Sequence, residues 1–283
     1  SGFDGLGEAH QFAQRAAEMG QPAIALTDHG TLRGLYEAQV ACDHAGVKLI
    51  PGCEFYLTDD ASKRGATPAE KDAIMSSHAT VADGKAAVKA EDQRRRSRDH
   101  VTVWALDQEG LRNLYRLSGW SWSEGFYYKP RIDLARLREY GAGLAVSTGC
   151  PGGVVAGPLG QGRIADALNR TEDLAEAFGD RFYVEIMPHV VEERHRVADK
   201  LLRIASDYGA KVVATQDAHY PTALDADAQD ALLCVHTRSR LCDEERFCFD
   251  SKDYWLRSRG EFEAAFATAL PGIDPRVVRA AIA

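Results

Sequence analysis

The sequence has no C-x-x-C pair. Its six cysteines, Cys42, Cys53, Cys150, Cys234, Cys242 and Cys248, are scattered along 283 residues. That spacing argues against a zinc finger or ribbon and gives no sign of a secretory disulfide framework. No apolar run approaches the ~18 residues of a membrane span, and no N-terminal stretch has the form of a signal peptide. These absences point to a reduced, cytoplasmic protein without a membrane partner, with a start at Ser1 that reads as a truncation. A basic excess is missing too, because the formal net charge is −8. Free-standing DNA-binding domains usually carry a basic footprint. If this chain handles nucleic acid, most phosphate contacts must come from a partner, another domain or bound metal ions. No internal repeat at a fixed period is present.

What is there is an ordinary globular balance, with 45% hydrophobic and 27% charged residues. The length suits one large domain or two small ones, with a core large enough to need no disulfide staples. Short apolar runs at 23–27, 47–51, 101–106, 143–148, 182–186 and 211–215 read as strands buried on both faces, as in parallel sheets. Helical patterns at 7–19, 35–45, 108–118, 134–140, 163–178 and 191–208 alternate with them. Gly20, Gly46 and Gly209 stand where C-caps are expected. The alternation argues for an α/β fold with a mainly parallel sheet, curled into an incomplete barrel. Residues 58–99 interrupt it as a long polar insertion without a strand. Arg94, Arg95, Arg96 and Arg98 near its end read either as a solvated loop or as a phosphate-contacting patch.

The chemistry-bearing residues fall at strand ends. The first strand runs into Thr27-Asp28-His29-Gly30 and the second into Gly52-Cys53-Glu54. The fourth ends in Thr148-Gly149-Cys150, the fifth holds Glu185 with His189 after it, and the sixth leads to Asp217-Ala218-His219. In a barrel of parallel strands such ends share one face, which carries the active site. A single histidine at a strand end, or a single cysteine, is usually a structural residue; coincidence across five strands favours metal binding. Imidazoles, carboxylates and one thiolate suit zinc, manganese or iron, and so many candidates imply two or three ions. Such a cluster can drive phosphoester hydrolysis. Adjacent strand residues face opposite ways, so His29 is the expected ligand and Asp28 its orienting neighbour. Asp217 and His219, two apart, are expected to reach a common ion.

The same residues carry a resemblance. Thr27-Asp28-His29-Gly30, Ile50-Pro51-Gly52-Cys53-Glu54-Phe55-Tyr56, His100-Val101-Thr102, Glu109-Gly110-Leu111-Arg112-Asn113-Leu114, Tyr128-Lys129-Pro130-Arg131-Ile132-Asp133, Ser147-Thr148-Gly149-Cys150 and Ala214-Thr215-Gln216-Asp217-Ala218-His219-Tyr220 stand in this order. They resemble the PHP (polymerase and histidinol phosphatase) domain of C-family replicative polymerases, the DNA polymerase III alpha subunits. The tract holding Ala231-Leu232-Leu233-Cys234, Arg246-Phe247 and Tyr254-Trp255-Leu256-Arg257-Ser258 resembles the lead into the polymerase palm. The resemblance implies a distorted seven-stranded β/α (TIM-like) barrel over residues 1–224, its first strand missing from this chain, followed by a C-terminal tract over 225–283.

The resemblance further implies three divalent ions held by nine residues. Seven match here: Asp4, His29, Glu54, His100, Cys150, Asp217 and His219. A His-x-His pair on the missing first strand would supply the rest. Asp4, His29, Asp217 and His219 are the expected catalytic set. Asp28, Arg131, Glu185 and His189 are expected around the metals or the substrate. Asp4 and His100 rest on the resemblance alone, because His100 begins its strand rather than ending it. His10, His44, His78, His195 and His236 read as surface or structural residues. The implied activity is a 3′–5′ proofreading exonuclease acting on a DNA primer end, joined to the remainder of a polymerase and, through it, to a sliding clamp and other replisome subunits. A non-catalytic scaffold and a stand-alone histidinol-phosphatase-like phosphoesterase are the alternatives. The C-terminal tract argues against the phosphoesterase.

Overall fold

The computed structural model describes residues 4–96, 98–188 and 192–282, apart from the side chains of 192–196. In chain order, α1 (Ala9–Glu18) leads into β1 (Ala23–Leu26), α2 (Leu35–Ala45) and β2 (Lys48–Leu57). The helices α3 (Pro68–Ser76) and α4 (Val81–Arg95) precede β3 (Asp99–Ala105), α5 (Gln108–Ser123) and the short strands β4 (Phe126–Tyr127) and β5 (Lys129–Ile132). Then come α6 (Leu134–Glu139), β6 (Leu144–Ser147), α7 (Ala156–Gly160), α8 (Ile164–Phe178), β7 (Phe182–Ile186), α9 (Glu192–Asp207) and β8 (Lys211–Ala214). The chain closes with α10 (Ala226–Thr237), α11 (Arg259–Ala269) and α12 (Pro275–Ile282). Among the described residues no helix is long and apolar enough to cross a membrane.

The strands form one sheet in the order β4-β5-β2-β3-β6-β7-β8, with β1 also paired to β2. The pairs β1–β2, β2–β5, β6–β7 and β7–β8 are parallel. The expected parallel sheet needs one correction, since β3 runs antiparallel to both β2 and β6. No pairing joins β1 to β8 among the described residues; both line a cavity of ≈ 470 Å³. The molecule is a mixed α/β protein built on a curled, incomplete barrel.

Two-residue periodicity sorts the side chains. On β2 and β3, Cys53, Phe55, Leu57, Val101 and Val103 point into the main core, which also takes Leu114 and Leu117 of α5. Phe182, Val184 and Ile186 of β7 do the same. Each such burial contributes roughly 1.5–3 kcal/mol. The intervening residues Glu54, Tyr56, His100, Thr102 and Glu185 carry polar groups on the opposite face. The second strand is longer than the expected run at 47–51, continuing through Gly52 to Leu57. Pro51 sits where β2 passes from its pairing with β1 to its pairing with β3. Gly52 is required there: a Cβ would lie 2.8 Å from the Trp104 ring and 2.9 Å from the Val103 carbonyl.

The insertion is helical rather than a loop. Thr67 and Glu70 form a capping box on α3 with Pro68 in its first turn, and Thr80 caps α4. Buried Arg95 pairs with Glu70 at 2.8 Å and Glu91 at 2.6 Å, while Arg94 pairs with Glu91 and Asp59. Those two arginines therefore tie the insertion together and are not poised for phosphate. Arg131, expected near metal or substrate, holds the base of the same insertion. Its buried guanidinium donates to the carbonyls of Ala61, Lys63, Arg95 and Gly125.

The C-terminal tract packs on the barrel. Phe262, Phe266, Leu270 and Val278 join the main core. Tyr220 and Trp255 form a β-bridge, and the Tyr254 carbonyl accepts from the His219 N–H at 2.7 Å.

Candidate metal centre

The antiparallel course of β3 explains how His100 joins residues from strand ends. The start of β3 lies beside the C-terminal half of β2, with His100 opposite Tyr56 and Thr102 opposite Glu54. His29 follows β1 and bridges to Glu54, where Gly30 N–H donates to the Glu54 carbonyl at 2.7 Å. The turn after β6 brings Cys150 against His100, whose carbonyl accepts from Val154 N–H at 2.9 Å. Gly149 is necessary in that turn. Its φ is +76°, and a Cβ would come within 2.6 Å of the His100 carbonyl.

The side chains converge closely. His29 Nε2 lies 3.0 Å from Asp4 Oδ2, and His29 Nδ1 lies 2.6 Å from Glu54 Oε1. The same Glu54 oxygen is 2.7 Å from His100 Nδ1, which is 3.1 Å from Cys150 Sγ. His219 Nε2 stands 4.0 Å from Asp4 Oδ2. Two groups are compact enough to hold a cation each, Asp4 with His29 and His219, and His29 with Glu54 and His100. His219 Nδ1 donates to the Asp217 carbonyl at 2.7 Å, which leaves Nε2 as the nitrogen turned to Asp4. Behind it, the Phe249 ring packs edge-on at 4.8 Å. Gln229 donates to the Asp4 carbonyl at 2.8 Å. Phe249 and Gln229 escaped the sequence reading because neither is a ligand type and both come from the C-terminal tract.

Electrostatics tie the cluster together. Burial opposes a charge on His29, but Asp4 and Glu54 outweigh it and raise its pKa to about 10. Burial likewise works against ionised Glu54, yet His100 and His29 bring it down to about 2. Burial, reinforced by Glu54 and Asp217, pushes the Cys150 thiol well up. Burial also raises Asp217, against the pull of His219. Glu185 lies deeper, receiving hydrogen bonds from Ser147 and Thr215 at 2.5 Å each and from Thr102 at 3.3 Å. Burial first, with Asp217 and Glu54 adding, raises it to about 7.

Other expected residues stand apart from the two triads. Both ring nitrogens of His29 face Asp4 and Glu54, so none is left for Asp28 to orient. The Asp28 carboxylate turns toward the start of α2, 3.1 Å from where a Cβ on Gly34 would sit. Asp217 falls after β8 with φ +49°, so strand alternation does not align it with His219. Its carboxylate is 3.7 Å from His219 Nδ1 and belongs to neither triad. His189 lies outside the described residues, as does the side chain of His195. His10, His44, His78 and His236 are exposed.

The residues fit divalent cations by an observation of their own. His29 Nδ1 and Glu54 Oε1 are buried without a hydrogen-bond partner despite their close approach. Buried polar atoms are rarely left so, and nitrogen, carboxylate and thiol donors together suit transition metals.

Comparisons with known proteins show the family. The DNA polymerase III subunit alpha of Saccharopolyspora erythraea is 34% identical over 279 residues, covering 95% of this chain and 22% of the relative. That of Treponema pallidum is 31% identical over 265 residues, covering 93% of this chain and 21% of the relative. The chain thus spans about a fifth of the length of these relatives. Among solved structures, a two-domain Bacteroides vulgatus protein described as containing a predicted PHP-like metal-dependent phosphoesterase aligns with a TM-score of 0.42. It is 16% identical and covers 82% of this chain and 53% of that one. The profile of the PHP domain family matches residues 1–189, and the chain belongs to that family.

Proposed function

We propose that the chain is the metal-dependent PHP domain of a DNA polymerase III alpha subunit and acts as a 3′–5′ proofreading exonuclease on a primer end. One observation carries the metal-dependent hydrolysis. Six potential ligands from separate segments converge, and two of their buried polar atoms lack hydrogen-bond partners. The exonuclease step adds the likeness to the polymerase subunits. Asp4 and His219 would hold one ion and Glu54 and His100 another, with His29 joining one of the two, and with Cys150 and Asp217 at the margins, in a cluster of up to three zinc, manganese or iron ions. Bound ions would supply Lewis acidity, polarising a phosphoryl oxygen and making a water more acidic.

The chain's own residues do the rest. Asp4, Glu54 and the Asp217 carbonyl set the imidazole orientations, and Phe249 shields His219 from solvent. Burial raises the affinity of Glu185 for a proton close to the cluster. The seven-stranded barrel belongs to this reading, with β1 and β8 as the strands flanking its open seam. The Tyr220–Trp255 bridge and the core contacts of α11 weigh against a small stand-alone phosphatase, which has no need of that tract. DNA, the remaining polymerase and, through it, a sliding clamp are the partners in the cytoplasm.

The test is a 3′-mismatched primer incubated with the chain and manganese, beside Asp4→Asn, with bound metal counted. Trimming from the 3′ end that Asp4→Asn abolishes supports the proposal. Bound metal without cleavage would mean a structural scaffold, and absence of bound metal would refute the metal centre itself.

A further inference from the structure

Three exposed rings and three cations that the metal cluster does not use lie on adjoining pieces of chain beside it. Trp122 and Phe126 stack with centroids 5.6 Å apart and planes at 22°. They are 51% and 41% exposed. Trp122 is tied to the cluster, since its Nε1–H donates to the carbonyl of Gly30, the residue after His29, at 2.8 Å. Tyr128 forms the tip between β4 and β5, 63% exposed and at φ +61°. That conformation disfavours a bulky side chain, yet here it presents a large ring to solvent.

The cations interleave with the rings. Arg96 lies 5.2 Å from the centre of the Tyr128 ring, and Lys129 lies 5.5 Å from that of Tyr56. Tyr56 in turn stacks on His29 at 6.4 Å and meets His100 edge-on at 5.3 Å. Arg98 is exposed and stands immediately before β3, two residues ahead of His100. Arg94 and Arg95 are taken up by carboxylates, whereas Arg96 sits against Tyr127 and Tyr128.

Aromatic faces alternating with cations are how proteins hold single strands: bases stack on rings, and phosphates pair with the charges. A surface for docking another protein has no need of cations on its rings, nor of a path that ends at His29 and His100. We propose that Trp122, Phe126, Tyr128, Arg96, Arg98 and Lys129 form a platform for single-stranded DNA that leads a strand end past Tyr56 to the metal centre. The platform rests on the phosphodiesterase reading only for where the strand is led; binding itself does not require the centre to cleave.

Fluorescence anisotropy of an end-labelled oligothymidylate of about 12 nucleotides, with the 283-residue chain in excess EDTA, reads binding without cleavage. The wild type should bind, and Tyr128→Ala and Phe126→Ala should each weaken binding about ten-fold. Arg96→Gln and Lys129→Gln should each flatten the logarithmic salt dependence by about 0.7. These two carry the test if an aromatic variant melts early in circular dichroism. Unchanged binding in every folded variant overturns the platform. So does absence of wild-type binding at low salt, which is the result a protein-docking surface would give. Oligonucleotide binding that survives alongside a failed primer-trimming assay would sink the exonuclease and leave the platform standing.

Discussion

Glu185 should make the metal-free protein less stable as pH rises, and Glu185→Gln should remove that dependence. Its carboxyl is buried among three hydroxyls, with Asp217 and Glu54 nearby, and its pKa rises from 4.5 to about 7. In the unfolded chain the group ionises near the ordinary value. Between the two values the folded state holds a proton that the unfolded state has lost, so stability falls across this window. Below about 4.5 the contribution is fully present, and above about 7 it is gone. At about 1.4 kcal/mol per pKa unit the loss across the window is about 3 kcal/mol. Glutamine keeps the shape and stays neutral, and the Ser147, Thr102 and Thr215 hydroxyls can turn to accept from its amide. Urea unfolding in EDTA at about pH 5 and about pH 8 reads the difference. The variant should gain on the wild type by about 2–3 kcal/mol between those values. A gap that does not change with pH would mean that Glu185 is ionised in the fold, and the reasoning would fail. Bound cations should lower the Glu185 pKa and shrink the effect, so repeating the titration with manganese provides an internal control.

Arg131→Ala leaves the carbonyls of Ala61, Lys63, Arg95 and Gly125 without their guanidinium donor. A loss of about 3 kcal/mol or more is expected, with limited proteolysis cutting first within 58–98; metal-binding stoichiometry should not change. Gly110→Ala places a Cβ 1.9 Å from the Gly143 carbonyl, backbone against backbone. A loss of at least about 2 kcal/mol in chemical denaturation is expected, and a change of only a few tenths would show that α5 can move away from the β6 turn.

The strands were legible where apolar runs are uninterrupted: β7 has the expected bounds. The direction of β3 was not, because periodicity carries no sign of parallel or antiparallel pairing. That gap made His100 look misplaced at a strand start. Once β3 is reversed, a start and an end are the same edge of the sheet. Asp28 next to His29 was a fair expectation from alternation, but Glu54 arrives from another strand to face the nitrogen that Asp28 would need. Arg131 misled because an arginine in a charged motif looks like a ligand for anions, while carbonyls brought together by the insertion are invisible in sequence. The platform rings were hidden for the opposite reason, since exposed aromatics leave no periodic trace.

The two helices of the insertion hang between strands that are next-door neighbours. For the sheet, segment 58–98 is a hairpin loop that has grown very large, with its ends clamped by the β2–β3 ladder. Closing such a loop costs only about 0.6 kcal/mol more for each doubling of its length. This is where the fold can be enlarged, trimmed or replaced most cheaply. Its two ends, Thr58 and Arg98, follow and precede the strands that carry Glu54 and His100. Changes made there could remodel the approach to the cluster while the ligands stay on their strands.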